Sequence, residues 1–166
     1  ERSTMKYLLT LLTACLLILT GCDEQNRCYE SVNTQIVITL KSSDFSIYHG
    51  LIIHGVDRNA TGDTLVNDTL SSQSKRFTLP LSVSADSTGF VLTIANVKDT
   101  LYFHHQMSMQ FISESCGFAP KYTIDGTSYH TGIDSVRILD PVVNTKSIEK
   151  NTNDQNVIIY FNPASH

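Results

Sequence analysis

Asp57, Asn59, Thr61, Asp63 and Asp68 set oxygen-bearing side chains at relative positions 1, 3, 5, 7 and 12 of one short stretch, with Gly62 at position 6. Calcium takes oxygen ligands, and an EF-hand loop supplies them at this spacing, with the glycine making its sharp turn. The imitation is incomplete. Position 12 carries aspartate where a bidentate glutamate is usual, and the flanks, Ile52 to Val56 and Thr69 to Phe77, read as strand and polar loop instead of helices. A connection rich in turn formers produces the same letters, so the expectation is no metal, with Asp57, Asn59, Thr61, Asp63 and Asp68 as the set to test.

Histidine offers a second route to a metal. His104 and His105 are neighbours in a strand-like stretch, so their rings point to opposite faces and cannot share an ion from that strand alone. His49 and His54 also fall on opposite faces, and no HExxH or CxxC pattern accompanies them. His105 lies on the apolar side between Phe103 and Met107 and reads as a hydrogen-bonded, semi-buried histidine.

Catalytic groupings are equally incomplete. Cys116 in Ser113-Glu114-Ser115-Cys116-Gly117 has no histidine placed to activate it as a nucleophile. Glu114, Asp125, Asp134 and Asp140 offer carboxylates of the kind a glycosidase pairs, but aspartates in turns are the common explanation. The GxxxxGK(S/T) phosphate cradle, the GxSxG elbow and the GxGxxG turn are missing. There is no tryptophan to stack on a sugar, although seven tyrosines leave room for a platform. No catalytic residue is assigned, no cofactor is expected, and the chain reads as a non-enzyme.

The N-terminus carries the most specific chemistry. Leu19-Thr20-Gly21-Cys22 closes an apolar run of about 14 residues that follows Lys6, too short for the roughly 18 to 20 residues of a membrane-crossing helix. The tetrad resembles the lipobox of bacterial lipoproteins. That resemblance implies cleavage between Gly21 and Cys22, a diacylglycerol on the Cys22 sulfur and a further acyl chain (palmitate or similar) on its amine, and two or more chains anchor stably. Met5 reads as the native start, with Glu1 to Thr4 an upstream extension. The domains expected are a helical signal peptide over residues 1–21, a lipidated N-terminus and tether over 22–33, and one folded domain over 34–166. Asp23-Glu24 after the cysteine resembles sorting signals that differ between Gram-negative lineages, and the outer membrane is expected over the inner.

Removing residues 1–21 takes Lys+Arg from 12 to 10 and Asp+Glu from 16 to 15, so the net charge moves from -4 to -5. No basic block exists, which excludes an electrostatic footprint for nucleic acid.

Period-2 alternation dominates the chain after the tether. Ile36, Ile38 and Leu40 fall on alternate positions, as do Phe77, Leu79, Leu81 and Val83, then Phe90, Leu92 and Ile94. The longest case sets Leu101, Phe103, Met107, Met109 and Phe111 on one face, expected as core, against Tyr102, His104, Gln106, Ser108 and Gln110 on a wet face. With Ile47–Val56, Lys121–Ile124, Asp134–Leu139 and Val157–Phe161 this makes about eight strands. Turn signals stand at Thr61-Gly62-Asp63, Asp86 to Gly89, Asp125-Gly126 and Asp140-Pro141. The fold expected is all-β, an antiparallel β-sandwich, immunoglobulin-like or similar. Pro80 marks an edge strand or a bulge, because it cannot donate to a central ladder.

Cys15 leaves with the signal and Cys22 takes the lipid, so Cys28 and Cys116 remain. An even pair in an oxidising envelope favours a disulfide. It closes a loop of nearly 90 residues, worth roughly 4 kcal/mol in the chain-entropy account. Asp63-Thr64-Leu65, Asp68-Thr69-Leu70, Asp99-Thr100-Leu101 and Asp134-Ser135-Val136 resemble the O-glycosylation triplet of some anaerobic Gram-negative lineages, and equally fit the frequency of Asp and Thr where strands begin.

Leu79-Pro80-Leu81, Asp99-Thr100-Leu101, Ser113-Glu114-Ser115-Cys116-Gly117-Phe118 and Asp134-Ser135-Val136 together resemble a family of small envelope lipoproteins classed as domain of unknown function 6452. The similarity runs from about Cys28 to Phe161. It implies a lipoprotein with a paired N-terminal and central cysteine and no assigned activity. The function expected is a non-catalytic binding or structural module of the bacterial cell envelope. Its partners are the membrane, through the lipid on Cys22, and an envelope protein or glycan; the alternative is a surface hydrolase or glycan-processing accessory protein. A contiguous exposed apolar or aromatic patch distinguishes the first from the second, which needs a pocket of convergent carboxylates or histidines.

Overall fold

The alternating apolar positions become strands in the computed structural model, which describes residues 34–42, 49–56, 64–70, 74–94, 96–130, 132–145 and 155–161. In chain order these are β1 (Gln35–Lys41), β2 (His49–Gly55), β3 (Thr64–Leu70), β4 (Ser74–Pro80), β5 (Ser87–Ile94), β6 (Val97–Ser113), β7 (Gly117–Tyr129), β8 (Ser135–Ile138), β9 (Val142–Val143) and β10 (Val157–Tyr160). They form two sheets, a four-stranded one in the order β4-β1-β10-β8 and a six-stranded one in the order β3-β2-β5-β6-β7-β9. The all-β sandwich is as the alternation predicts, with ten strands among the described residues instead of about eight. One pairing, β1 with β10, is parallel.

Ile36, Ile38 and Leu40 of β1 meet Leu51 and Ile53 of β2, Phe90 and Leu92 of β5, and Leu101 and Phe103 of β6 in one core. The other face of β1 is covered as well: Val37 and Thr39 are buried along with their neighbours, and Thr39 Oγ1 donates to Gln155 Oε1. The half-buried pattern expected of this strand therefore fails, while β5 keeps it. Pro80 is exposed at the end of β4, an edge strand, where its missing N–H removes no central ladder bond.

Asn156 joins the two sheets. Its side-chain amide donates to the carbonyls of Asp140 at 3.1 Å and Val142 at 3.0 Å, and its Oδ1 accepts the Val37 amide at 3.0 Å. Its own backbone N–H donates to the Val37 carbonyl at 3.0 Å. Fully buried and fully bonded, it fixes the start of β10 against β1 and holds the turn between β8 and β9.

Several expectations are corrected by this packing. Val83 is exposed because β4 ends at Pro80 and the chain leaves the sheet. Asp125-Gly126 is no turn. It lies inside β7, where His104 pairs with Gly126 and His105 with Ile124, so Asp125 is the extra residue of a bulge. Asp68 and the start of the expected polar loop belong to β3, with β4 beginning at Ser74.

Candidate functional site

β6 and β7 form the longest hairpin of the fold, and it outruns the sheet that carries it. β5 stops opposite His104, where Ser87 pairs with it, while β6 continues to Ser113. Beyond that level, among the described residues, the ladder joins only β6 to β7, except where β9 pairs with Tyr122 and Thr123. Gly117 closes the outer end with a φ of 68°, a left-handed conformation that glycine adopts without a Cβ clash.

Alternation along β6 never changes phase, yet its environment does. Leu101, Phe103 and His105 are buried on the core face. The same face continues through Met107, Met109 and Phe111, which are 39%, 57% and 55% exposed, and across the ladder from Phe111 stands Phe118, 63% exposed. The core placement expected of Met107, Met109 and Phe111 is thus overturned: the side chains point the right way, but among the described residues no facing sheet reaches them. Pro120 stands opposite Met109 and Tyr122 opposite Met107, so the apolar stripe is two strands wide. Phe111 and Phe118 meet edge to face at 5.4 Å, a geometry that favours the pair beyond its shared area. Sequence reasoning missed Phe118 and Pro120. The sign available was apolar alternation on both sides of the Ser113 to Gly117 turn.

The chain enters the domain beside this hairpin. Thr34 Oγ1 donates to the Pro120 carbonyl at 2.6 Å, one residue before β1 begins.

At the inner end of the stripe, His105 is 1% exposed and packs edge to face with Tyr122 at 5.2 Å. Its Nε2 lies 2.8 Å from Thr88 Oγ1, which also accepts the Ser82 amide. Its Nδ1 has no hydrogen-bond partner among the described residues. Burial holds the imidazole below its ordinary value of 6.5, partly offset by the negative charges of Asp86 and Asp125. The Tyr122 hydroxyl donates to the Leu81 carbonyl at 3.1 Å, and burial raises its phenol. Both groups brace the hairpin on the 81–86 crossing and face no open surface. His104, one residue away, is exposed and bonds Ser128 Oγ at 2.9 Å, so the two histidines do lie on opposite faces.

Other sequence candidates are dispersed. Asp57, Asn59, Thr61 and Asp63 lie outside the described residues, and Asp68 sits in β3 in an ion pair with Lys75. Among the described residues no three His, Cys, Asp or Glu side chains group to hold a metal. Glu114 is in the outer turn, and Gly117 to Asp125 spans eight residues of strand, about 27 Å, far beyond the separation of a glycosidase pair. Asp140 turns Oδ1 onto the Val142 amide at 2.9 Å. In the Asp99 triplet the carboxylate faces inward and binds backbone amides. Cys116, in the outer turn, is disulfide-bonded. Cys28, its expected partner, lies outside the described residues, as do Gly21 and Cys22.

A family model described as "Family of unknown function (DUF6452)" matches residues 50–161. The match begins later than the resemblance from about Cys28 and ends at the same residue. No curated protein and no solved structure matches the chain.

Proposed function

Because the chain belongs to the family of unknown function DUF6452, a description that assigns no activity, we propose a function from its surface: a lipid-anchored, non-catalytic module of the bacterial cell envelope that makes contact through the apolar face of the β6–β7 hairpin. The observation that carries this reading is the run of Met107, Met109, Phe111 and Phe118, all exposed on one face. Large contiguous apolar patches on a folded surface mark interaction sites, since leaving them in water is unfavourable.

In this reading Cys22 carries the lipid and Cys28 is bridged to Cys116. The bonded state of Cys116 supports the bridge, and a stable disulfide suits an oxidising compartment outside the cytosol. The outer membrane is the proposed location. Among the described residues the hydrolase alternative draws no support from His105, which is enclosed, or from Asp99 and Asp140, which are committed to backbone amides.

Metabolic labelling with radioactive palmitate tests the anchor. The wild-type chain is expected to take up label and sediment with membranes, and Cys22→Ser to do neither. An unlabelled wild-type chain overturns the reading.

A further inference from the structure

We propose that the outer end of the β6–β7 hairpin dips into the surface of the bilayer that holds the lipid anchor, with Phe111, Phe118 and Met109 as the inserted side chains. The inference rests on the lipidated reading above and adds an occupant for the exposed face.

Chain length limits where that face can be. Cys22 and Cys28 are six residues apart, at most ~22 Å of extended backbone. A disulfide adds about 6 Å between Cα atoms. Cys116 is therefore held within roughly 28 Å of the lipid-bearing residue, and Phe118 is two residues beyond it. An independent observation points the same way: Thr34 is hydrogen-bonded to Pro120, so the tether meets the domain at the hairpin and not at the far end of the sandwich. The end of the domain that these restraints hold near the membrane is, among the described residues, the one that exposes Phe111, Phe118, Met107 and Met109.

The hairpin's shape fits this depth. From Met107 to Ser113 it projects about 20 Å, enough to reach past the headgroups while the sandwich stays in water. Among the described residues most of its outer backbone is paired only between β6 and β7, so much of its outer edge has no neighbouring strand, although the Pro120 carbonyl accepts from Thr34. Such edges are excluded from the hydrocarbon interior but tolerated at the headgroup boundary, roughly 5 to 10 Å deep, where amphipathic segments lie. The outer turn carries one acidic residue, Glu114, and Lys121 alternates onto the opposite face from Phe118 and Pro120. Attraction is therefore apolar and not electrostatic, which makes the contact indifferent to lipid charge and to salt.

The chain contains no tryptophan, so a single introduced indole reports its own depth. The lipidated full-length mature protein is reconstituted into phosphatidylcholine vesicles with and without brominated acyl chains, as Phe118→Trp, Met109→Trp and Tyr129→Trp. Tyr129 is also exposed but lies eleven residues along β7 from Phe118, about 37 Å away. Phe118→Trp and Met109→Trp are expected to emit to the blue and to be quenched roughly twofold by the brominated lipid, equally at low and high salt. Tyr129→Trp is expected to keep its intensity. Protein that lacks the acyl group and stays out of the vesicles overturns the anchor and this proposal together. Anchored protein in which both hairpin reporters remain unquenched overturns the proposal alone. Cross-linking of those unquenched hairpins to each other overturns it in favour of a second copy.

Discussion

Ile133 donates its amide to Asp99 Oδ2 at 2.8 Å across 34 residues of chain. The other carboxylate oxygen of Asp99 accepts the Thr100 amide at 2.6 Å and the His130 amide at 3.1 Å. One buried side chain thus folds the connection from β7 to β8 back onto the start of β6.

Removing that acceptor leaves three amides to find water or remain unpaired. Asp99→Ala is expected to cost about 3 kcal/mol, lowering the melting temperature by roughly 10 °C in a domain of this size. Asp99→Asn, which keeps the shape but offers one acceptor oxygen and sets an NH2 against an amide donor, should fall between the two. Thermal melts of the three proteins followed by circular dichroism check the order; equal melting temperatures contradict the role given to Asp99.

His105 links stability to pH. Burial lowers its folded-state pKa beneath the unfolded 6.5, so the folded form binds the proton more weakly than the unfolded one. The stabilisation is complete above the unfolded value and drains away as pH falls from 6.5 through the folded value. Wild-type stability is expected to decline from pH 7.5 to 5, and His105→Phe to decline less over that interval. Denaturant unfolding at several pH values measures both slopes, and parallel slopes contradict the assignment.

Asn156 is placed to distinguish packing from hydrogen bonding. Asn156→Leu is close in volume but strands the Val37 amide and the carbonyls of Asp140 and Val142, a loss of about 3 kcal/mol. Asn156→Asp sets a carboxylate against two carbonyls at neutral pH and regains a donor once protonated. That carboxyl has its folded pKa raised, so its stabilising contribution is present in acid and lost as pH rises. The readout is the gap in unfolding free energy from wild type, expected to narrow in Asn156→Asp on acidification and to stay constant in Asn156→Leu.

Strand content and facing were legible in the residues because period-2 alternation is a local property: every odd position from Leu101 to Phe111 does share a face. Pro80 at an edge and the opposed His104 and His105 were legible for the same reason. Misreadings came where the partner strand decides. Asp125-Gly126 has turn chemistry, yet continued pairing with β6 absorbs it as a bulge.

By itself the amino-acid sequence determined an all-β domain and the pairs of side chains that share a face. Only the tertiary structure decided which parts of a face are core, because burial depends on whether another sheet stands opposite. Phe103 has one and is buried; Phe111, on the same strand and in the same phase, has none among the described residues and is exposed. The buried roles of Asp99 and Asn156 were likewise invisible along the chain, since Asp99 holds two amides 31 and 34 residues away and every side-chain partner of Asn156 is 14 or more residues away, and a polar residue's burial is settled by the amides and carbonyls that surround it.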